Sequence, residues 1–478
     1  MNPAFFLRSN RETTRRPSGL AAAACAGLCA WLILAGGSIL AYADTPLIKP
    51  TPDLAAGKEA FVANCARCHG ETGAGNGPDA AQMDPKPRNI AEGVFKFRTT
   101  ASGTVPTDED LFHTISTGLP GSRMPEFQRL PEETRWQLVY FVKSLAPVFL
   151  EENSKAEVVN LGSDPGPEKA GISKGKELYT QLGCTSCHGN AGRGDGPSAA
   201  TLTDNWGNPI RPANLTQGWN YRGGSNPKEI VARIMTGIDG TPMPSYADAI
   251  SSKEDAWALA YYVNSLQKTP LWNRTIEAKI TQRLPETAQD PMWNQVSRTD
   301  LRLSNQLYKE GQIQPVRVNA ISVQAVYNEE AVVFRLQWDD PDESRQTPPD
   351  AFGIVLMPKR VMKWEVGSLR SWPASQDAPS LDVSYWSAGK NGAAEAVVQE
   401  TAELETGKTQ GETLAAEASY ADGQWTMLLN RPFQPLLKNR VALDSREATL
   451  IGLMVWDGGN QEQGRRRSNS NWVDLVLK

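Results

Sequence analysis

A chain of 478 residues is longer than a single hydrophobic core usually grows, so two or three domains are expected. With 49 basic against 54 acidic residues and a formal charge of -5, no basic excess is available for a phosphate backbone, which sets nucleic-acid binding aside. Cysteine is scarce at six residues, and histidine scarcer at three.

The N-terminus carries Arg8, Arg11, Arg15 and Arg16, then the apolar run LAAAACAGLCAWLILAGGSIL, then AYA before Asp44. This is the order of a secretory signal, with cleavage expected after Ala43 and export to the periplasm. The alternative is an uncleaved anchor, since Leu20 to Leu40 supplies the about 20 residues that a membrane span needs. Arg15-Arg16 is followed by Pro17-Ser18-Gly19, a poor twin-arginine continuation, so Sec export is expected. Cys25 and Cys29 would leave with the signal, and the mature chain keeps Cys65, Cys68, Cys184 and Cys187.

The chain then repeats itself. NCARCHGETGAGNGPDAA matches GCTSCHGNAGRGDGPSAA at an offset of 119, from Cys65 to Cys184. LFHTISTGLPGSRMPEF matches IVARIMTGIDGTPMPSY at the same offset, with Met124 opposite Met243; by TRWQLVYFVKSL and DAWALAYYVNSL the offset has drifted to 121. A repeat of this size is one domain used twice. Each copy opens on a helical pattern, GKEAFVANCARCH or GKELYTQLGCTSCH. Each closes on an amphipathic helix: Leu138, Phe141, Val142 and Leu145 in the first, Leu259, Tyr262, Val263 and Leu266 in the second, at i, i+3, i+4, i+7. The middle is rich in Gly and Pro, so it is expected to wrap a cofactor in place of a large side-chain core.

Residues 44–150 form the first repeat domain, 151–170 a polar linker, 171–270 the second domain and 271–285 a further linker. From 286 to 478 the period changes to two. AVVFRLQWDD sets Val332, Phe334, Leu336 and Trp338 against Val333, Arg335 and Gln337, and ATLIGLMVWDGG and NWVDLVLK read likewise. A mostly antiparallel β-sandwich is expected there. GAAEAVVQETAELETGKTQGETLAAEAS reads as a solvated loop or short helix inserted into it.

Both cysteine pairs are C-x-x-C followed at once by histidine, the attachment signature of c-type heme: two thiols bond the vinyl groups and the histidine ligates iron. A zinc site would need further ligands at matching spacing, and a redox dithiol would need a βαβ context; neither is present. His69 and His188 are then proximal ligands. The remaining histidine, His113, aligns with Ala232 and cannot supply the second ligand in both domains. Met124 lies 55 residues beyond His69, and Met243 lies 55 beyond His188, each next to a proline on a loop before the last helix. A buried gap-filling role is the alternative for a methionine; the equal spacing favours a thioether ligand. His/Met ligation raises the reduction potential and closes both iron faces, so such a heme passes electrons without binding substrate.

On these motifs, residues 55–147 and 171–267 each resemble a class I cytochrome c domain, together similar to tandem diheme cytochromes. The segments DPMWNQVS, VYNEEAVVFRLQWDDPDES and WDGGNQEQGRRRSNSNWVDLVLK resemble the heme-binding γ subunit of ethylbenzene-dehydrogenase-type molybdenum enzymes, a group with chlorate and selenate reductases and relatives of nitrite oxidoreductase. The resemblance implies two all-α cytochrome c domains followed by a β-sandwich, and a relay of electrons to or from the iron–sulfur and molybdopterin subunits of an oxidoreductase. It also implies a heme b held between methionine and lysine. This chain departs there: Arg467, in GRRRS, stands nearest the lysine position, and SLRSWPASQD supplies no methionine. Arginine stays protonated and offers no lone pair. Met357, Met362, Lys359 and Lys363 lie nearby, with core or exposed roles expected. Arg465 to Arg467 read as a solvated turn or a contact for an acidic partner.

The expectation is a periplasmic electron-transfer protein with two covalent hemes c and no catalysis of its own. Its partners would be those oxidoreductase subunits and a soluble or membrane cytochrome, with a membrane reached only through an uncleaved anchor or a partner. The alternatives are a diheme peroxidase, which needs an open iron face, and a triheme subunit with heme b in the C-terminal domain.

Overall fold

The computed structural model describes residues 49–478 apart from 84, 153, 170, 306–316, 347, 358–368, 370–380, 391, 399–412, 436–440 and 444–447. The N-terminal segment read as an export signal lies outside the described residues, as do Lys359, Met362, Lys363 and all of SLRSWPASQD except Leu369. Among the described residues no helix is long and apolar enough to cross a membrane.

Among the described residues each repeat contributes four α-helices. The first has α1 (Leu54–Asn64), α2 (Ala66–His69), α3 (Asp108–Thr117) and α4 (Glu132–Leu145). The second has α5 (Ile172–Gln181), α6 (Thr185–His188), α7 (Pro227–Thr236) and α8 (Lys253–Ser265). Side chains start them where backbone donors would be orphaned: Asp53 accepts from the Ala55 and Ala56 amides, and reciprocal capping boxes join Thr107 to Asp110 and Asn226 to Glu229. First and last helices of each repeat meet backbone to backbone at a glycine. A Cβ on Gly57 would stand 2.4 Å from the Gln137 carbonyl oxygen, and one on Gly175 would stand 2.1 Å from that of Ala258. Around these crossings, Phe61, Phe112, Trp136 and Phe141 fill one small core and Tyr179, Val231, Trp257 and Tyr262 the other, with the anticipated apolar faces of α4 and α8 turned inward.

The rest of the chain is β-rich: β1 (Thr275–Ile280), β2 (Thr299–Arg302), β3 (Ser304–Asn305), β4 (Ala320–Tyr327), β5 (Ala331–Asp339), β6 (Ala351–Met357), β7 (Leu381–Ser387), β8 (Ala393–Val398), β9 (Thr413–Leu414), β10 (Ala416–Ala421), β11 (Gln424–Pro432), β12 (Thr449–Trp456), β13 (Ser468–Asn469) and β14 (Val473–Leu477). These strands belong to one continuous sheet in the order β10-β11-β5-β4-β1-β14-β12-β6-β7-β8-β9, with β2, β3 and β13 off the path. Pairing is antiparallel except where β1 runs parallel to β14 and β4. The short strand β9 comes back into contact with β11, so the sheet nearly closes on itself. Val332, Phe334, Leu336 and Trp338 enter the main core as their alternation predicts.

Two segments differ from the sequence reading. The stretch 271–285, taken as a linker, contains β1, whose six residues bury only Ile276 and Ala278 and so carry little periodic signal. The acidic stretch taken as a loop or helix provides β8, β9 and β10 in its described parts. Its alternation is masked because Glu395 points inward, fully buried, and pairs with the equally buried Arg431 at 3.0 Å.

Two joints tie the parts together. Between the repeats, Arg98 is buried and pairs with Asp239 at 2.7 Å, Ser102 Oγ donates to the same carboxylate at 2.8 Å, and the Arg88 guanidinium lies 3.8 Å from the centre of the Trp206 ring. Between the second repeat and the sheet, one carboxylate at the end of β5 gathers the contacts. Asp339 accepts from Arg193 Nε at 3.2 Å, Asn214 Nδ2 at 3.1 Å, Thr216 Oγ1 at 3.1 Å, Gln217 Nε2 at 3.2 Å and Lys268 Nζ at 3.2 Å, all from the repeat, and from Gln424 Nε2 at 2.7 Å on β11. Burial would raise its pKa, but the Lys268 and Arg193 charges and these hydrogen bonds hold it below the ordinary carboxylate value.

Candidate heme-attachment sites

In each repeat the C-x-x-C-H motif occupies a single helical turn. The Cys65 amide closes onto the Phe61 carbonyl at 2.7 Å and the His69 amide onto the Cys65 carbonyl at 2.9 Å; the His188 amide does the same to Cys184 at 2.9 Å. One turn places both thiols and the imidazole on neighbouring sides of the same short helix. All four cysteines are free and partly buried. Burial pushes the Cys65 thiol up to about 12, with Cys68 adding to it, and Cys184 up to about 11. A redox dithiol needs a lowered thiol pKa, so Cys65 and Cys184 lack the electrostatics of a thiolate nucleophile.

Both motif histidines are oriented from behind. His69 Nδ1 lies 2.9 Å from the Arg88 carbonyl and His188 Nδ1 lies 2.9 Å from that of Ala213, each acceptor just after a proline, Pro87 or Pro212. Burial lowers both imidazole pKa values and the carbonyl bond only partly offsets it, so each ring is neutral, with its proton on Nδ1 and the Nε2 lone pair directed away.

The two methionines sit in congruent turns. The Leu119 amide donates to the Met124 carbonyl at 3.0 Å, and the Met124 amide to Ser122 Oγ at 3.2 Å; Ile238, Met243 and Thr241 reproduce both bonds at 3.0 and 3.2 Å. Gly118 and Gly237 allow the turns, with φ of 65° and 67°, and a Cβ on either would strike the chain just beyond the methionine. Neither Met124 nor Met243 is buried in a core, unlike Met235, Met427 and Met454, so gap filling does not account for them. The Arg123 charge acts on the Cys68 thiol, and Cys184 and Cys187 act on the Tyr246 hydroxyl, so a residue next to or near each methionine feels the cysteines of its own repeat.

His113 is exposed on α3, its Nε2 3.8 Å from Glu229 Oε1 of α7. In the β-rich part, Arg467 is buried, against the solvated turn expected of it: Nε donates to Asn469 Oδ1 at 2.8 Å, and the guanidinium lies 5.8 Å from the centre of the Trp456 ring. Met357 packs in the core beside Leu369, Met454 and Trp456. Sequence reasoning passed over the Arg88 and Ala213 carbonyls, for which the preceding prolines were the only available signal, and over Asp339 inside the RLQWDDP motif.

The cytochrome c family model matches residues 54–146 and 172–267. Among curated proteins, the chain is 22% identical over 204 residues to a heme subunit assigned to a respiratory nitrate reductase of Haloferax mediterranei, covering 41% of this chain and 70% of that one. It is 28% identical over 225 residues to the Cbb3-type cytochrome c oxidase subunit CcoP of Azospirillum sp. (strain B510), covering 45% of this chain and 62% of that one. Among solved structures it is similar to a chain of the Kuenenia stuttgartiensis reducing HAO-like protein complex, 44% identical, covering 45% of this chain and 96% of that one at a TM-score of 0.42. The helical region of the chain, residues 54–146 and 172–267, is of the cytochrome c family, and its function is electron transfer, in kinship with the subunits of respiratory redox complexes.

Proposed function

We propose that this protein is a periplasmic diheme c-type cytochrome that relays electrons as a non-catalytic subunit or partner of a molybdopterin oxidoreductase. Cys65, Cys68, His69 and Met124 would hold one heme c, and Cys184, Cys187, His188 and Met243 the other. The observation that carries the reading is the doubled frame: two motif turns, two backbone-oriented imidazoles and two congruent methionine turns. The donor set suits the group, since each site offers two free thiols for thioether bonds and a neutral imidazole with its Nε2 turned away from the carbonyl that orients it. Arg98 Nη1 and Arg233 Nε and Nη1 are buried without acceptors among the described residues, and guanidinium donors of this kind suit the anionic propionates of a heme.

When bound, heme supplies a one-electron couple whose potential the protein sets through ligands and burial. The chain's own part is to orient His69 and His188 through Arg88 and Ala213, to present the two thioethers, and to fix the second site against the sheet through Asp339. A respiratory partner follows from the curated relatives, and the molybdenum class from the resemblance of the sheet segments to γ subunits. A pyridine hemochrome spectrum with acid extraction tests the cofactor count. Two covalent hemes and none extractable are expected; one extractable heme per chain would replace this reading with the triheme one, and a high-spin ferric heme that turns over peroxide with the peroxidase one. Co-purification of a molybdenum-containing subunit from the native source tests the partner.

A further inference from the structure

The two sheet motifs WDDPDES and WDGG meet at one point that electron transfer does not use. Asp340 and Asp342 follow β5, Asp350 precedes β6 and Asp457 follows β12, and one carboxylate oxygen from each lies within 4.8 Å of the others. Asp340, Asp350 and Asp457 are fully buried, and Asp342 is partly so.

Their hydrogen bonds do not exhaust them. Asp350 accepts from the Gly458 amide at 2.8 Å on one oxygen, and from the Ser344 amide at 2.8 Å and Trp425 Nε1 at 3.0 Å on the other. Asp457 Oδ1 accepts from the Asn460 amide at 2.8 Å, and Asp340 Oδ1 from the Asp342 amide at 3.3 Å. Asp340 Oδ2 and Asp457 Oδ2, both inside the protein, have no hydrogen-bond donor among the described residues. Buried carboxylate oxygens are costly to leave so. Two guanidiniums pair with the rim of the cluster at long range: Arg317 Nη1 is 3.5 Å from Asp342 Oδ2 and 3.8 Å from Asp457 Oδ2, and Arg211 Nη2 is 3.8 Å from Asp342 Oδ2. Counted as ionised, four carboxylates against two guanidiniums leave two negative charges at a site that opens to solvent only on the Asp342 side.

We propose that Asp340, Asp342, Asp350 and Asp457 bind one divalent cation, calcium. The donors are all hard oxygens, with no imidazole or thiolate to select zinc or copper. Magnesium keeps several of its waters, whereas calcium accepts a shell of protein carboxylates. The site also stands at a joint. Arg211 belongs to the second repeat, and Asp339, which holds that repeat to the sheet, precedes Asp340 in the chain. Bound calcium therefore stiffens the loop that positions the second heme domain.

The test uses the full-length, heme-loaded protein stripped with EGTA and returned to metal-free buffer. Calorimetric titration with calcium chloride is expected to show one saturable site per chain, and the melting temperature to rise with calcium, as linkage to the folded state requires. Asp340→Asn is expected to weaken binding at least tenfold; Asp342→Asn, at the partly exposed position, carries the same expectation if Asp340→Asn does not fold. Heme content by pyridine hemochrome, measured on the same samples, stays at the wild-type level and keeps this result separate from the cytochrome assignment. No saturable uptake by the wild type, variants that bind as it does, or a melting temperature that answers to acid but not to calcium would each overturn the proposal. An equal response to magnesium would overturn the choice of calcium.

Discussion

The two repeats hold their sites in the same way but are themselves held differently. Behind the first motif histidine the acceptor is Arg88, whose guanidinium reaches across to the partly exposed Trp206 of the second repeat. Behind the second it is Ala213, and the residues that follow it, Asn214, Thr216 and Gln217, all donate to the buried Asp339. The sequence between motif and methionine thus keeps one chemistry while its outer side serves two purposes, a polar contact between repeats and an anchorage to the sheet. Variation within a duplicated module falls on its docking surfaces, because the cofactor frame tolerates little of it.

The sharpest break in this comparison would come at the sites themselves. Met124→Ala and Met243→Ala are each expected to convert one heme from low-spin to high-spin and to lower its potential by a measurable part of the about 0.8 V that axial ligation spans. Spectra and potentiometric titration check this, with His113→Ala as the control that leaves both hemes unchanged. If Met243→Ala keeps the wild-type spectrum and potential, the thioether assignment fails for the second repeat.

The helix crossings come next. Gly57→Ala and Gly175→Ala each force a methyl group onto a backbone carbonyl that cannot turn aside, and a loss of about 3 kcal/mol is expected for each, at the upper end for overpacking. Chemical denaturation of the heme-loaded protein measures it, and equal losses would show that the two repeats pack alike. A variant as stable as the wild type would mean that the helices separate at little cost.

The two joints should then separate. Asp339→Ala leaves Arg193 and Lys268 without their carboxylate. The cost is expected near 2 kcal/mol, below the about 3–5 kcal/mol for a sealed ion pair, because Lys268 still reaches solvent. Faster proteolysis between the second repeat and β1 would accompany it. Trp206→Ala at the other joint is expected to cost about 1 kcal/mol, the scale of an exposed cation–π contact. Equal costs would remove the distinction between anchorage and surface contact.

How far these features were legible in the sequence follows from how local their chemistry is. Thioether attachment needs two thiols and an imidazole on one turn, so Cys65, Cys68 and His69 announce themselves, and so do Cys184, Cys187 and His188. β5 and β14 alternate and β12 is apolar and buried along its whole length, so all three were legible as strands. β1 was missed because only two of its six residues are buried, and β8 because Glu395 sits inside against Arg431, 36 positions away in the chain. Asp339 was quoted within a motif but given no role, since its partners are scattered from Arg193 to Gln424 and no spacing rule gathers them. Carbonyl acceptors such as those of Arg88 and Ala213 carry no side-chain signature at all.

The smallest effect tests the comparison by pH. At the start of α3, Asp108 lies 2.6 Å from Lys143 Nζ on α4 and 3.3 Å from Lys49 Nζ. Burial would raise its pKa, but the two lysines hold it below the ordinary value of 3.8. The corresponding positions of the second repeat are Pro227 and Asn264, and Asn264 Nδ2 donates to the Ser225 carbonyl at 3.2 Å, a bond that does not titrate. Because the folded pKa is the lower one, the unfolded chain takes up the proton first. The lock therefore contributes fully above the unfolded pKa and is lost as pH falls through the folded value. With Asp108 partly exposed, its worth is about 0.5–1 kcal/mol. Asp108→Asn should lack that increment at neutral pH and converge on the wild type as the pH falls below about 3. Asn264→Asp, measured alongside, places a carboxylate in the second repeat with no lysine at the α7 position to meet it, and no matching acid-sensitive gain is expected. A wild type and Asp108→Asn that differ by the same amount at every pH would show that the aspartate acts as a helix-start residue alone, and that the first repeat has no lock the second lacks.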